Sequence, residues 1–386
     1  MSRSSKTRDR RRRQLLVALN AAETLGHEAA LRLARDPPGW LGKSGRRAAG
    51  EAMGVSGAAV AAGRKAARSA GPVYREEARR AHAAGAGILI RGDGEFPASF
   101  DDLELPPAVL YRRGRLPAAP AVAIVGSRRA DVYGLEVAER FAAELAAAGL
   151  VVVSGLAIGI DAAAHRGALA AGGPTVAVLG CGVDVIYPRS HRRLREKVAR
   201  QGALVSEFRM GTAPEPYRFP IRNRLIAALA VGTLVVRATP RSGSLITARL
   251  ALELGRDVWA VPGNISDRRS VGTNSLIRDG ALPVQKASDV LESLPVRIQD
   301  RLKPPMRKDP EMGETGRAGK TLSGPGGTEL LRHLPPGELV SQDRLIARTG
   351  RPADEVIAEL LALELDGRLR RYPGPSYCRR ESSRGS

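Results

Sequence analysis

Three short runs in the middle of the chain place glycine, serine and arginine directly after a β-rich apolar stretch. Residues 122–125 run into Gly126-Ser127-Arg128-Arg129, residues 151–153 into Ser154-Gly155-Leu156-Ala157-Ile158-Gly159, and residues 234–236 into a turn holding Arg241, Ser242, Gly243 and Ser244. The chemistry such runs offer is anion capture: bare backbone amides, hydroxyls and the N-terminus of a following helix gather phosphate oxygens, and a guanidinium grips two of them at once. In the first run, the amides and the Ser127 hydroxyl are expected to meet one phosphate and Arg128 another, although a tight strand-to-helix turn with solvent-facing arginines uses the same residues. In the second, Gly155 and Gly159 permit close backbone approach to a phosphate. Asp161 and His165, one helical turn apart, read as an N-cap beside a packed or paired imidazole in preference to an acid–base couple.

Two more basic clusters follow the same logic. Tyr187-Pro188-Arg189 ends the loop after the third apolar run, and Arg193 and Lys197 continue along the next helix. In Phe219-Pro220-Ile221-Arg222-Asn223-Arg224 the proline sits just ahead of a helix, with Arg222, Asn223 and Arg224 in its first turn. Cations there oppose the helix macrodipole, so a negative group must compensate them. A bound phosphate and pairing with Glu207 or Asp184 serve equally well.

These turns need a scaffold, and the pattern around them supplies one. Strands are expected at residues 122–125, 151–154, 175–179, 204–206, 234–236, 258–261 and 282–284, with helices between them. One such helix spans 133–148, where Leu135, Val137, Phe141, Ala142 and Leu145 mark an apolar face. Continuous apolar strands joined by helical crossovers predict an α/β fold, a Rossmann-like, doubly wound parallel sheet over residues 119–295. The dinucleotide version is not indicated: no GxGxxG follows the first strand, no acidic residue ends the second, and no Walker A lysine motif occurs.

Flanking segments differ in character. Residues 1–13, with the run Arg8-Asp9-Arg10-Arg11-Arg12-Arg13, read as a basic disordered tail. Residues 14–118 read as a small helical domain, broken at Pro37-Pro38-Gly39 and near Gly71-Pro72, that closes in a short strand at 87–90 and an extended lead-in through 106–111. A linker is expected at 296–325, followed over 326–386 by three short helices (329–334, 341–349, 353–366) and a hairpin around Pro373-Gly374. That order is a winged helix, with its helix-turn-helix between 342 and 365.

Composition narrows the class of ligand. With 386 residues, 61 Lys and Arg against 40 Asp and Glu, and a formal charge of +21, the chain favours polyanions, nucleic acid first and an anionic membrane surface second. Aromatics are 4% of residues, so base stacking is expected to contribute less than phosphate contact, giving weak sequence selectivity and strong salt dependence. Cys181 and Cys378 form no metal-like spacing and fit a reduced, cytoplasmic compartment, with no metal or cofactor expected. No run approaches the roughly 18–20 apolar residues of a membrane span, and the first residues carry charge without the apolar core of a signal peptide, so no membrane insertion is expected.

The order and spacing of Ile124-Val125-Gly126-Ser127-Arg128, residues 154–165, Tyr187-Pro188, residues 219–224 and residues 241–248 resemble those of the bacterial DNA-processing protein A family over roughly residues 95–294. A downstream winged module is a frequent companion in that family. The resemblance implies a single-stranded DNA-binding protein of natural transformation that protects incoming strands and helps load the recombinase RecA. It implies action by binding, as a homodimer, with no catalytic residues. The turns' own chemistry, read beside that resemblance, gives as the expected DNA-binding set Gly126, Ser127, Arg128, Gly155, Gly159, Arg189, Arg222, Asn223, Arg224, Arg241, Ser242 and Ser244, with Arg222, Arg224, Arg241 and Ser244 secondary. Three positions depart from the family pattern: Arg189 stands where a lysine usually follows Tyr-Pro, Arg237 where a glutamate is common, and Ala228 where a glycine is common.

Two other classes compete. A nucleotide-binding or nucleotide-hydrolysing Rossmann-like enzyme, akin to the nucleoside-monophosphate phosphoribohydrolases, needs a Gly-Gly-rich motif ending in Thr and a catalytic Glu; residues 241–248 carry no carboxylate. A transcription factor using the winged helix on duplex DNA leaves the large sheet domain without a role.

Overall fold

The structure, a computed structural model, describes residues 3–35, 41, 53–302, 330–335, 338–366, 368–372 and 376–379. It divides into two compact units, Met1–Arg128 with Ala138–Pro305, and Arg129–Val137 with Met306–Ser386.

In the first unit, helices α1 (Arg3–Ala21), α2 (His27–Arg35), α3 (Gly57–Arg68) and α4 (Ala70–Ala83) precede strands β1 (Ala86–Ile90) and β2 (Val109–Gly114). The alternating region follows: β3 (Ala121–Val125), α5 (Val132–Ala147), β4 (Val151–Ser154), α6 (Ile160–Ala170), β5 (Thr175–Val178), α7 (Arg192–Gln201), β6 (Ala203–Ser206) and α8 (Arg218–Leu229). It continues through β7 (Gly232–Val235), α9 (Gly243–Glu253), β8 (Asp257–Ala260), α10 (Val271–Arg278), β9 (Leu282–Pro283), α11 (Ala287–Ser293) and α12 (Val296–Gln299).

The strands form one sheet in the order β1-β2-β6-β5-β4-β3-β7-β8-β9. Every residue of β3 through β7 is buried, because helices cover both faces, and successive side chains enter different cores. Val176 and Val178 pack with Leu225 and Ile226, whereas Ala177 and Leu204 pack with Val198. Strand order reverses at β3, which pairs in parallel with β4 on one side and β7 on the other. A crevice opens at the carboxyl ends of the strands at such a switch point, and this is where open α/β sheets bind ligands.

Two expectations for the N-terminal part differ from what is found. The sheet is mixed, since β1 and β2 are antiparallel additions, with β2 lying between β1 and β6. The apolar run of β2 is only Val109, Leu110 and Tyr111 before two arginines, too short to read as an interior strand, yet all three are fully buried. The basic segment expected as a disordered tail lies within α1. Buried Leu16, Val17, Ala18 and Leu19 anchor that helix, and its arginines dock onto the turn after β1: Arg13 pairs with Asp93 at 2.5 Å, and Arg12 Nη2 donates to the Arg91 carbonyl at 2.6 Å. Helix α4 is fixed by a buried carboxyl, Glu77 Oε2, which accepts from the Tyr111 hydroxyl (2.8 Å) and the Met210 amide (3.1 Å).

The second unit carries α13 (Gln342–Thr349), α14 (Ala353–Leu365) and a small antiparallel sheet of β10 (Val340–Ser341), β12 (Ser376–Arg379) and β11 (Leu369–Tyr372). Ser341 caps α13 by accepting from the Arg344 amide at 3.3 Å, and Gly350 ends it at φ 62°. Leu345, Val356, Leu360, Leu369 and Tyr377 form its core. The turn expected around Pro373-Gly374 and most of the expected linker lie outside the described residues.

Candidate nucleic-acid interface

The turn after β3 is built into its neighbours on both sides. The Ser127 amide donates to the Arg237 carbonyl (2.7 Å), and the Ser127 carbonyl accepts from the Ile160 amide (3.2 Å). The Ser127 amide, expected to face a phosphate, is tied instead to the β7 turn. The glycines answer to packing as well. A Cβ on Gly126 would stand 2.6 Å from Ile160 Cγ1, one on Gly159, whose φ is +89°, would overlap the Ser127 carbonyl oxygen, and one on Gly155 would fall on the Arg222 guanidinium. They let the start of α6 and the head of α8 close against the β3 and β4 turns.

Asp161 holds the loop between β4 and α6. It sits one residue inside α6, behind an N-cap position occupied by Gly159, so it is not the cap expected of it. Its Oδ2 accepts from the Gly155 (3.1 Å) and Ala157 (3.3 Å) amides, 3.9 Å from Arg222 Nη2. Burial pushes this carboxyl's pKa up against the opposing pull of Arg222, and burial likewise lowers that of the Arg222 guanidinium. Arg222 is only 4% exposed; it also donates to Asn223 Oδ1 (3.0 Å) and to the Val178 carbonyl. Arg224 pairs with buried Glu207 and donates to the Leu105 carbonyl at 2.8 Å. Burial would raise the Glu207 carboxyl, but Arg224 and His27 beside it hold it below its ordinary value. Of the two compensations open to these arginines, the structure uses pairing. Arg222 finds Asp161 in place of Glu207 or Asp184, and Asp184 instead accepts from the Gly211 amide at 2.9 Å.

His165 is fully buried, with Nδ1 2.7 Å from Thr175 Oγ1. Because the Thr175 hydroxyl donates to the Val152 carbonyl (2.7 Å), the imidazole must donate through Nδ1. Burial lowers its pKa to about 3, leaving a neutral packing residue. Asn223 donates to the Gly243 carbonyl (3.3 Å), joining α8 to the start of α9. Ser242 caps α9 through the Ser244 amide (3.4 Å), and its hydroxyl lies 2.7 Å from that of buried Ser244. Arg237, at the departure from the family pattern, is 7% exposed and pairs with Asp267 at 3.2 Å while donating to Ser270. It belongs to the interior, adding nothing to the basic surface.

Arg128, Arg189 and Arg241 remain at the surface on three different turns. Arg128 lies over the Phe219 ring, its guanidinium carbon 5.0 Å from the centroid, and Phe219 packs on Tyr187 with centroids 5.5 Å apart. Gly180 leaves room for Phe219, since a Cβ there would approach the ring to 2.8 Å. Tyr187 is 40% and Tyr217 58% exposed, and Arg218 stands 5.0 Å over the Tyr217 ring. Composition hid this group, because an average of 4% says nothing about where the rings gather. The readable signal was an aromatic in each of two motifs already noted, Tyr187-Pro188 and Phe219-Pro220. Among the described residues, no group of His, Cys, Asp and Glu is arranged to hold a metal, and no helix is long and apolar enough to cross a membrane.

A Rossmann-like sheet with arginines and stacked rings at its switch-point rim defines a class of proteins that hold phosphate-bearing ligands at the strand ends. Within that class, residues 87–295 match the family model described as DNA recombination-mediator protein A, and residues 325–375 match the DprA winged helix domain. The chain is 40% identical over 290 residues to the protein Smf of Escherichia coli K12, covering 74% of this chain and 76% of that protein. It is 43% identical over 201 residues to the DNA processing protein DprA of Streptococcus pneumoniae R6, covering 52% and 71%. The X-ray structure of DNA processing protein A from Streptococcus pneumoniae superposes with a TM-score of 0.63 at 33% identity, covering 72% of this chain and 96% of that one. The chain belongs to the DNA processing protein A (DprA/Smf) family.

Proposed function

We propose that this protein binds single-stranded DNA along the carboxyl rim of its sheet, and that it serves natural transformation by protecting incoming strands and helping to load them onto RecA. The observation that carries the reading is the stack of exposed Arg128 and Tyr187 on half-buried Phe219 beside the switch point. A cation over an aromatic face offers a phosphate contact and a base platform together. Arg189, Arg241 and the Ser127 side chain supply further phosphate contacts. Arg222, Asn223, Arg224, Ser242, Ser244 and the three glycines support the site from within, fixing the turns on which the contacting side chains stand. Similarity to the DNA processing protein DprA of Streptococcus pneumoniae supports this reading. Hand-over to RecA and action as a homodimer extend it from the family resemblance.

Binding without chemistry fits the rim better than nucleotide hydrolysis does. Its buried carboxyls are both engaged, Asp161 by two amides beside Arg222 and Glu207 by Arg224, so they are poorly placed as general bases. The test is fluorescence anisotropy with a labelled oligo-dT and the full chain. Arg128→Ala with Arg189→Ala is expected to abolish most affinity while leaving thermal unfolding unchanged; full affinity in that variant contradicts the site. Steady release of ribose phosphate from a nucleotide contradicts the binding-only reading.

A further inference from the structure

The same rim ends, at the β1–β2 edge of the sheet, in a second feature. β2 runs antiparallel to β6 with Tyr111 opposite Ser206, and β1 runs antiparallel to β2 with Ile90 opposite Val109. The end of β1 and the start of β2 therefore lie at the carboxyl ends of the parallel strands. There a cavity of about 260 Å³ opens between α1, α2, the turn after β1 and the segment that leads into β2. Its floor is apolar and buried, formed by Leu16, Leu31, Pro106 and Ala108, and its mouth holds Arg12, Arg35 and Arg91.

Three guanidiniums around one opening repel each other, and among the described residues the carboxylate lining the cavity, Asp101, already accepts from Arg91 Nε at 2.7 Å. Arg12 is held in place by donating to the Arg91 carbonyl (2.6 Å), and it lies over Gly92, whose φ of +97° and missing Cβ leave its guanidinium 3.7 Å from where that atom would stand. A cationic mouth over an apolar floor suits a ligand with an anionic end and a flat, weakly polar body. An inorganic anion leaves the floor unused, and an apolar ligand leaves the arginines uncompensated.

We propose that this cavity binds a nucleotide, with the base against Leu16, Leu31 and Ala108 and the phosphate among Arg12, Arg35 and Arg91. The nucleotide comes either free or as one unit of a DNA strand. Only the strand source rests on the rim reading; the free source stands apart from it.

The experiment is calorimetric titration of the full chain with dTMP, with inorganic phosphate and with oligo-dT. It uses the wild type, Arg12→Ala with Arg35→Ala, the Arg128→Ala, Arg189→Ala rim variant, and the combination of all four. For a free ligand, dTMP is expected to bind saturably, to weaken about tenfold or more in the cavity variant, and to be untouched by the rim variant; a tenfold loss is the scale of one charge-assisted contact. For a strand unit, oligo-dT affinity is expected to fall about tenfold further in the fourfold variant than in the rim variant. Equal binding of both probes with and without the cavity arginines overturns the proposal, as does inorganic phosphate binding as tightly as dTMP. Should the double cavity variant unfold, Arg35→Glu at its exposed position is measured in its place under the same criteria. Loss of strand affinity in the rim variant is scored separately, so either site can fail without the other.

Discussion

At the residue scale, the candidate site separates into side chains that reach solvent and side chains that hold them. Arg222 and Arg128 are both arginines of the same motif set, yet one is buried against Asp161 and the other stands over Phe219 at the surface. Substituting them should therefore affect different measurements. Arg222→Ala leaves a buried carboxyl and the Val178 carbonyl without their partner, which costs about 3–5 kcal/mol, and chemical denaturation should show it. Arg128→Ala should leave denaturation nearly unchanged. His165 gives a pH dependence of known sign. Its folded pKa is depressed to about 3 from an ordinary 6.5, so the unfolded chain takes up a proton first as pH falls. The stability contributed by the neutral imidazole is complete above about pH 6.5 and is lost progressively as pH falls toward 3. Thermal unfolding followed over that range should decline, and His165→Gln should flatten the decline; an unchanged slope contradicts the assignment.

At the element scale, β3, β4 and β5 were legible in the sequence because each is a short apolar run that gives way to glycine or serine. β3, β4 and β5 lie within a residue of where periodicity places them. The partners of the arginines were not legible. Arg222 meets Asp161 only because α6 and α8 converge on the turns of β3 and β4, a consequence of strand order that spacing along the chain does not encode. The packing role of the glycines was hidden for a related reason: a residue type that permits phosphate approach equally permits two turns to close on each other. The winged unit brings a different surprise. Its second helix, α14, occupies the recognition position but carries Asp354, Glu355, Glu359 and Glu364 with no lysine or arginine, and exposes Ile357 and Leu361. Phosphates are repelled by such a face. A chain ending at residue 302 is therefore expected to keep the duplex and single-strand affinities of the full chain within about twofold, measured by gel shift; a large loss of duplex affinity on truncation contradicts this.

For the whole molecule, a formal charge of +21 does not by itself locate a site. Much of the arginine is internal currency of the fold: Arg13 with Asp93, Arg113 with Glu196, Arg224 with Glu207, Arg237 with Asp267. Net charge read from the sequence predicted a polyanion partner, and the fold sets two arginines of that charge, Arg128 and Arg218, over aromatic rings at the carboxyl rim of the sheet. Rim arginines that hold the phosphates of a single strand must show themselves in the salt dependence of binding. Each phosphate neutralised on single-stranded DNA contributes about −0.7 to the slope of log affinity against log salt. Removing Arg128 and Arg189 together should make the oligo-dT slope shallower by about 1.4 and lower the affinity at every salt concentration. An unchanged slope and affinity in a folded double variant would place the DNA elsewhere on the molecule.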